Sequence, residues 1–254
     1  MPVATDIHVI ETAYWPMPEG MMMQMGGDEI VPASCPAYVI DHPDALVLFD
    51  TGLSHDLVAD PVGYGAPGLA DFTPNIDLGT ALADGLADLG YEPADVDHVV
   101  MSHLHVDHAG NLDLFSDATI HVHLEELRYA WWPDAAQAVF YVDADLAPLR
   151  DPSAAVTEVV GRTDLLGDGS IEIVPTPGHT PGHQSLAVDL EDETVFLASD
   201  VANLHRAFDA ELVAPFHWSA AEGVRSIRAV KAEFERAGAT VVIHHDVDDL
   251  EQLR

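Results

Sequence analysis

The chain has 254 residues, enough to bury one sizeable α/β core. Hydrophobic residues make up 48%, which excludes a disordered protein. Against 44 Asp plus Glu stand only 9 Lys plus Arg, and the formal net charge of -35 argues against nucleic acid or an anionic membrane surface as partner, since phosphates would be repelled.

Lys231 is the only lysine. So large an acid excess opposes compaction through self-repulsion, and salt screens that repulsion, so a halophilic acidic surface working in a salt-rich cytoplasm is expected. Cys35 is the only cysteine, so no internal disulfide can form, and a small buried residue is its expected role. Residues 1–10 lack a basic patch followed by an apolar segment, so no secretory signal is read and a cytoplasmic location is expected. No run of 18 apolar residues occurs, so nothing is expected to span a membrane.

Residues 6–15 read as a first strand. Residues 16–27, with Met17, Met21, Met22, Met23 and Met25 among Gly and Pro, read as a loop. Flexible thioethers suit a pocket wall, core filling or a dimer contact. Residues 37–40 and 45–49 read as two strands of a hairpin, the second ending in Phe49-Asp50-Thr51-Gly52. A carboxylate there can orient histidines that bind a metal. Residues 53–75 are rich in Gly and Pro, carry Tyr64 and Phe72, and read as a long loop. Residues 78–89 show helical spacing and stop at Gly90.

Residues 96–101 read as a short buried strand that runs into Ser102-His103-Leu104-His105-Val106-Asp107-His108-Ala109-Gly110. An apolar core has no use for three imidazoles and a carboxylate within six residues, because each would need a buried partner. Such a set suits a borderline divalent ion, zinc first, in a turn at a strand's C-terminal end. A helix is expected to open at 109–115. Residues 118–123 read as a strand whose His121 and His123 are structural. Residues 124–150 read as helical at first and irregular later, with Trp131, Trp132, Phe140 and Tyr141 walling a pocket or packing the core.

The second half repeats this pattern. Residues 171–174 form a strand leading into Pro175-Thr176-Pro177-Gly178-His179-Thr180-Pro181-Gly182-His183, whose turns aim His179. Strands follow at 184–189 and 194–198, the latter ending in Ser199-Asp200. A helix is expected from Ala220 through Arg236, with Val224, Ile227, Val230 and Phe234 on one stripe. The last strand, 240–243, ends in His244-His245-Asp246. His179, Asp200 and His245 thus stand at strand ends as the first cluster does. No linker divides the chain, so residues 1–254 are read as a single domain.

The motif His103-x-His105-x-Asp107-His108, followed by His179, Asp200 and His245 with Phe49-Asp50-Thr51-Gly52 ahead of it, resembles the metallo-β-lactamase superfamily. Residues 89–93, 102–110, 176–186 and His245-Asp246 are most similar to its N-acyl homoserine lactonase, or quorum-quenching, branch. The resemblance implies an αββα sandwich with two divalent ions at the sheet edge. His103, His105 and His179 would hold one ion; Asp107, His108 and His245 the other; Asp200 would bridge them. His245 is preferred to His244 by the family's His-Asp ending and because strand alternation sends the two side chains to opposite faces. Zinc is expected, with iron, manganese or cobalt as alternatives.

A hydroxide generated by the metal pair would open a lactone or related ester, and Asp107 would carry a proton to the leaving group. The expected partners are a small-molecule lactone or ester and a second copy of the chain as homodimer. One position departs from the family. Lactonases of this group carry a substrate-binding tyrosine three residues after the bridging aspartate, where this chain has Asn203; its amide can also donate, though it is shorter, so Asn203 is the substrate-binding candidate, with Tyr14, Tyr64, Tyr129 or Tyr141 compensating from another loop as the alternative. The rival readings are a glyoxalase II-like thioesterase or other esterase of the same fold, which keeps the metals, and a non-catalytic metal-binding module. A thioesterase would want a basic patch for glutathione carboxylates, and nine basic residues weigh against it.

Overall fold

The computed structural model describes residues 3–70 and 74–253. Phe72 of the long loop lies outside the described residues. Eleven strands are described, in two sheets. The first sheet runs β1 (Asp6–Pro18), β2 (Ile30–His42), β3 (Ala45–Phe49), β4 (His98–Val100), β5 (Thr119–His123), β6 (Ala155–Val159) in that order. The second runs β11 (Thr240–Ile243), β10 (Thr194–Ser199), β9 (Gln184–Asp189), β8 (Ile171–Pro175), β7 (Thr163–Asp164). The helices among the described residues are α1 (Glu19–Met22), α2 (His55–Ala59), α3 (Leu82–Asp88), α4 (Val106–Ala109), α5 (Leu124–Ala130), α6 (Asp143–Leu146), α7 (His205–Ala210), α8 (Ala220–Glu233) and α9 (Val247–Leu250).

Three apolar layers hold these elements together. Between the sheets, Tyr38, Ile40, Val47, Phe49 and Val100 meet Ile173, Leu186, Val188, Leu197 and Val242. Outside the first sheet, Leu82, Leu86 and Ala130 of the helices cover Leu48, Val99 and Ile120. Outside the second, Ile227, Val230 and Phe234 cover Phe196, Ala198 and Val241. Each large side chain so buried contributes roughly 1.5–3 kcal/mol. Helix, sheet, sheet and helix therefore stack as an αββα sandwich, as the resemblance implies.

The two sheets differ in how they reach their common edge. In the first, β3, β4 and β5 are parallel neighbours. In the second, β10 pairs parallel with β11, and β8 reaches the same direction through antiparallel β9. The C-terminal ends of β3, β4, β8, β10 and β11 thus share one rim.

Several boundaries differ from the sequence reading. β1 continues through Trp15 to Pro18, and the methionine stretch contains the single turn α1. The helix expected at 78–89 covers only Leu82–Asp88, because residues 77–79 form a turn and Thr80 N bonds back to Glu11 O. The helix expected at 109–115 opens earlier, at Val106, inside the histidine cluster, and a separate 3₁₀ turn follows at Leu112–Leu114. The helix read to Arg236 ends at Glu233, starts on a Ser219 side chain accepting from Glu222 N, and passes into a 3₁₀ turn. β6 and β7 went unread, being exposed edge strands without an apolar run. Trp132 neither walls a pocket nor packs the core: it is 90% exposed.

Candidate metal centre

Two strand ends leading to the rim turn in the same way. Asp50 after β3 has φ 57° and Ser199 at the end of β10 has φ 49°, both left-handed without being glycine. Such residues cost about 1–3 kcal/mol each and cluster where a site over-determines them. Asp50 repays this with contacts. Its Oδ1 accepts from Ser102 N at 2.6 Å, and its Oδ2 accepts from Ser102 Oγ at 2.7 Å and His108 Nδ1 at 2.8 Å. The carboxylate thus holds the start of the cluster and the ring of His108.

After β4 the chain passes His103 and reaches His105 in extended conformation, while α4 swings Asp107 and His108 round on its first turn. His103, His108, His179, Asp200 and His245 are all buried, as is His105. Asp107 is the partly exposed member, with 18% of its side chain accessible. His103, His105 and His179 each offer a ligand atom, all within 4.8 Å of one another; so do Asp107, His108 and His245, and so do His103, His108 and Asp200. Asp200 stands between the two trios. Its Oδ1 lies 3.4 Å from His108 Nε2, and its Oδ2 lies 3.4 Å from His179 Nε2 and 3.2 Å from His245 Nε2.

Hydrogen bonds at the rear of the rings set which nitrogen faces inward. His108 Nδ1 meets Asp50, His245 Nδ1 meets Ser34 O at 2.6 Å, and His103 Nδ1 meets Ser102 Oγ at 3.0 Å. Nδ1–H donated backward leaves the Nε2 lone pair for a ligand. Nε2 of His103 and His108 and Oδ1 of Asp200 are buried without a partner, and His105 turns Nδ1, not Nε2, toward His179 Nε2 at 3.0 Å. Buried polar atoms are rarely left so, and cations held by the two trios would satisfy them. The donor set, imidazole with carboxylate, is that of zinc and its neighbours.

The electrostatics agree with this use. Burial, helped by neighbouring imidazoles, holds His103, His105 and His179 well below the usual imidazole range, so they present lone pairs at neutral pH. Burial pulls His108 down too, but Asp200, Asp107 and Asp50 outweigh it and push it up to about 9. For Asp200, burial pushes upward, and His245, His179 and His108 outweigh it and hold the carboxyl well below its ordinary range.

Some neighbours were not legible beforehand. His183 Nε2 accepts from Asp200 N at 3.0 Å, fixing the backbone of the bridging candidate. His244 does turn away from the cleft, yet stays at the site: it stacks on His108 at 4.2 Å from behind. His217 packs edge-on against His179 at 4.8 Å. His183 stands inside the 175–183 run and His244 beside His245, but no spacing gave their roles, because each acts through a contact made by a different segment. His121 and His123 lie elsewhere: His121 pairs with His98 at 3.1 Å, and His123 caps α5.

A narrow pocket of about 40 Å³ opens on Asp107, Asp200 and His245. Trp15, Met17, Met22, Phe140 and Phe216 wall it, so two of the loop methionines do line a pocket. Asn203 lies at its edge, and its Nδ2 donates to Asp200 Oδ2 at 3.0 Å. No tyrosine lines the pocket among the described residues. The hydroxyls of Tyr64 and Tyr141 are bound to Asp145 and Glu126, and that of Tyr129 accepts from Asp134 N.

A family model for the Metallo-beta-lactamase superfamily matches residues 30–234. The N-acyl homoserine lactonase AttM of Rhizobium radiobacter is 34% identical over 230 residues, 88% of this chain and 85% of that protein. A solved N-acyl homoserine lactone hydrolase, with N-hexanoyl-L-homoserine bound at its catalytic metal centre, matches at a TM-score of 0.84 and 21% identity, over 99% of this chain and 97% of that one. AidC, a dizinc quorum-quenching lactonase, matches at a TM-score of 0.71 and 13% identity, over 97% and 90%.

Proposed function

This chain belongs to the metallo-beta-lactamase superfamily, and from that membership we propose that it is a dimetal hydrolase opening N-acyl homoserine lactones, a quorum-quenching activity. The observation that carries the reading is Asp200, whose two oxygens face both histidine groups at 3.2–3.4 Å. His103, His105 and His179 would hold one ion, Asp107, His108 and His245 the other, and Asp200 would bridge. Two zinc ions suit the donors, and AidC is dizinc. Residues 1–254 act as one domain in this reading, in the cytoplasm and with a homodimer as the assembly.

When bound, a pair of divalent ions supplies Lewis acidity and a hydroxide at neutral pH. The chain's own residues do the rest. Asp50, Ser34 O and Ser102 hold the rings so that their lone pairs converge. Asp107, the accessible carboxylate, turns Oδ2 toward His245 Nε2 at 3.7 Å, and its other oxygen takes the proton that the attacking water gives up and passes it to the departing alkoxide. Trp15, Met17, Met22, Phe140 and Phe216 offer apolar surface to an acyl chain. The pocket's 40 Å³ has room for a few waters only, so admitting that chain requires the walls to shift, which thioethers do readily.

A substrate panel with metal analysis on one zinc-loaded preparation tests the reading. Two ions per chain and a kcat/KM for N-acyl homoserine lactones at least about a hundredfold above aryl esters and glutathione thioesters are expected, a ratio of the size that transition-state contacts produce. Replacing Asp200 with alanine should abolish both paired occupancy and turnover. Preference for the thioester would point to the glyoxalase II-like alternative. Two bound ions with no turnover of any substrate would leave a binding module.

A further inference from the structure

Glu126, on α5, is a fully buried carboxylate that belongs to neither ligand trio. Its Oε1 accepts from Leu104 N at 3.0 Å and from Tyr141 Oη at 2.8 Å. Its Oε2 accepts from Thr180 Oγ1 at 2.5 Å. Leu104 sits between His103 and His105. Thr180 follows His179. The ring of Tyr141 stands edge-on to His105, 4.8 Å away. One carboxylate thus grips both chain segments that supply the first trio, and the aromatic ring packed on one of its members.

The packing around it says the same. A Cβ on Gly182 would lie 2.1 Å from Glu126 N and 2.5 Å from its Cα, so the 180–183 turn is seated directly on the backbone of α5. A carboxylate taken wholly out of water is costly unless every lone pair is used. If it only filled space, an apolar residue would serve better. Three donors from three segments make it a junction instead.

We propose that Glu126 is the positioning residue of the His103–His105–His179 trio, setting the separation of two ligand segments 74 residues apart in the chain. The inference rests on the dimetal reading above. Groups of this kind, behind a ligand, change metal affinity about 10–100-fold when altered. Glu126 makes no contact with the second trio, so the effect falls on one ion of the two.

The test compares the full-length protein with Glu126→Gln and Thr180→Val. Both keep the side-chain volume. Turned one way the Gln nitrogen meets the Leu104 N–H donor with a donor; turned the other it forces the Thr180 hydroxyl to give up its own donation, and the Val removes that donor and leaves the carboxylate. Each is loaded with zinc and stripped by a graded chelator, and the cobalt forms are followed by absorption. Expected is a loss of about 10–100-fold in affinity for one ion only, the one whose cobalt band His103→Ala also removes. Turnover falls with it while KM changes little, and the metal-free variants melt close to the metal-free parent. Parental affinity for both ions, or equal loss of both together with a large fall in melting temperature, would overturn the proposal. A parent chain that binds no ion pair would instead sink the dimetal reading itself.

Discussion

Asn203 decides how far the lactonase resemblance extends at the level of single side chains. Its Nδ2 gives one of two hydrogens to Asp200 Oδ2 at 3.0 Å, which ties the amide to the bridging candidate. Asn203→Ala should therefore lower kcat only about tenfold, through a looser Asp200. Steady-state kinetics check this; a loss of roughly 10²–10³ would instead mark a donor to the reacting group. His108 carries a second expectation. Its proton, held with a pKa of about 9 by the carboxylates that outweigh burial, must leave before Nε2 can bind a cation. Metal affinity should fall about tenfold per pH unit below pH 9 for that one proton. The metal-free fold has the opposite dependence. The raised pKa stabilises it fully below the ordinary value of 6.5, and that stability is lost as pH rises through about 9. Zinc titrations and metal-free melting curves across this range check both signs, and a pH-independent affinity would count against His108 as ligand.

The turn between β8 and β9 shows what a short element contributes. Gly178 has φ +145°, and a Cβ there would lie 2.3 Å from the backbone of Gly223 on α8. Close contact of two glycines brings the turn against the helix and aims His179 inward, while Thr180 and Gly182 dock on α5. Gly178→Ala should cost about 3 kcal/mol, from strain and displaced backbone together. For a chain of this size the melting temperature would fall roughly 6–12 °C. Metal content should fall too, since His179 moves with the turn. Calorimetry and metal analysis on the same sample check it; an unchanged ion count would mean that the aim of His179 does not depend on this approach.

For the molecule as a whole, the charge of -35 is the dominant fact. The described salt bridges that do not involve histidine lie on the surface and use few cations, as in Arg162 with Glu233 and Arg228 with Glu211. Exposed pairs of this kind contribute about 0–1 kcal/mol each, too little to offset carboxylate repulsion. Screening should therefore raise the melting temperature between low and multimolar salt. Thermal melts at matched pH test this, and equal or greater stability at low salt would contradict the salt-rich setting. No described helix is long and apolar enough to cross a membrane.

The candidate ligand motif was legible because metal chemistry needs rare residue types at short spacing, and His103, His105, Asp107 and His108 fall within six positions. The strands ending in Asp50, Asp200 and His245 were legible because buried strands are unbroken apolar runs. The pocket wall, the backing of His108 by His244 and the grip of Glu126 on two distant turns left no such mark. Each is a single ordinary residue whose role comes from the segment packed against it. Local sequence thus determined which side chains can bind cations and where strands stop. Which of them meet, which nitrogen faces inward and what holds the rings in place were decided only when the two sheets closed on one another, because those distances join residues up to 211 positions apart.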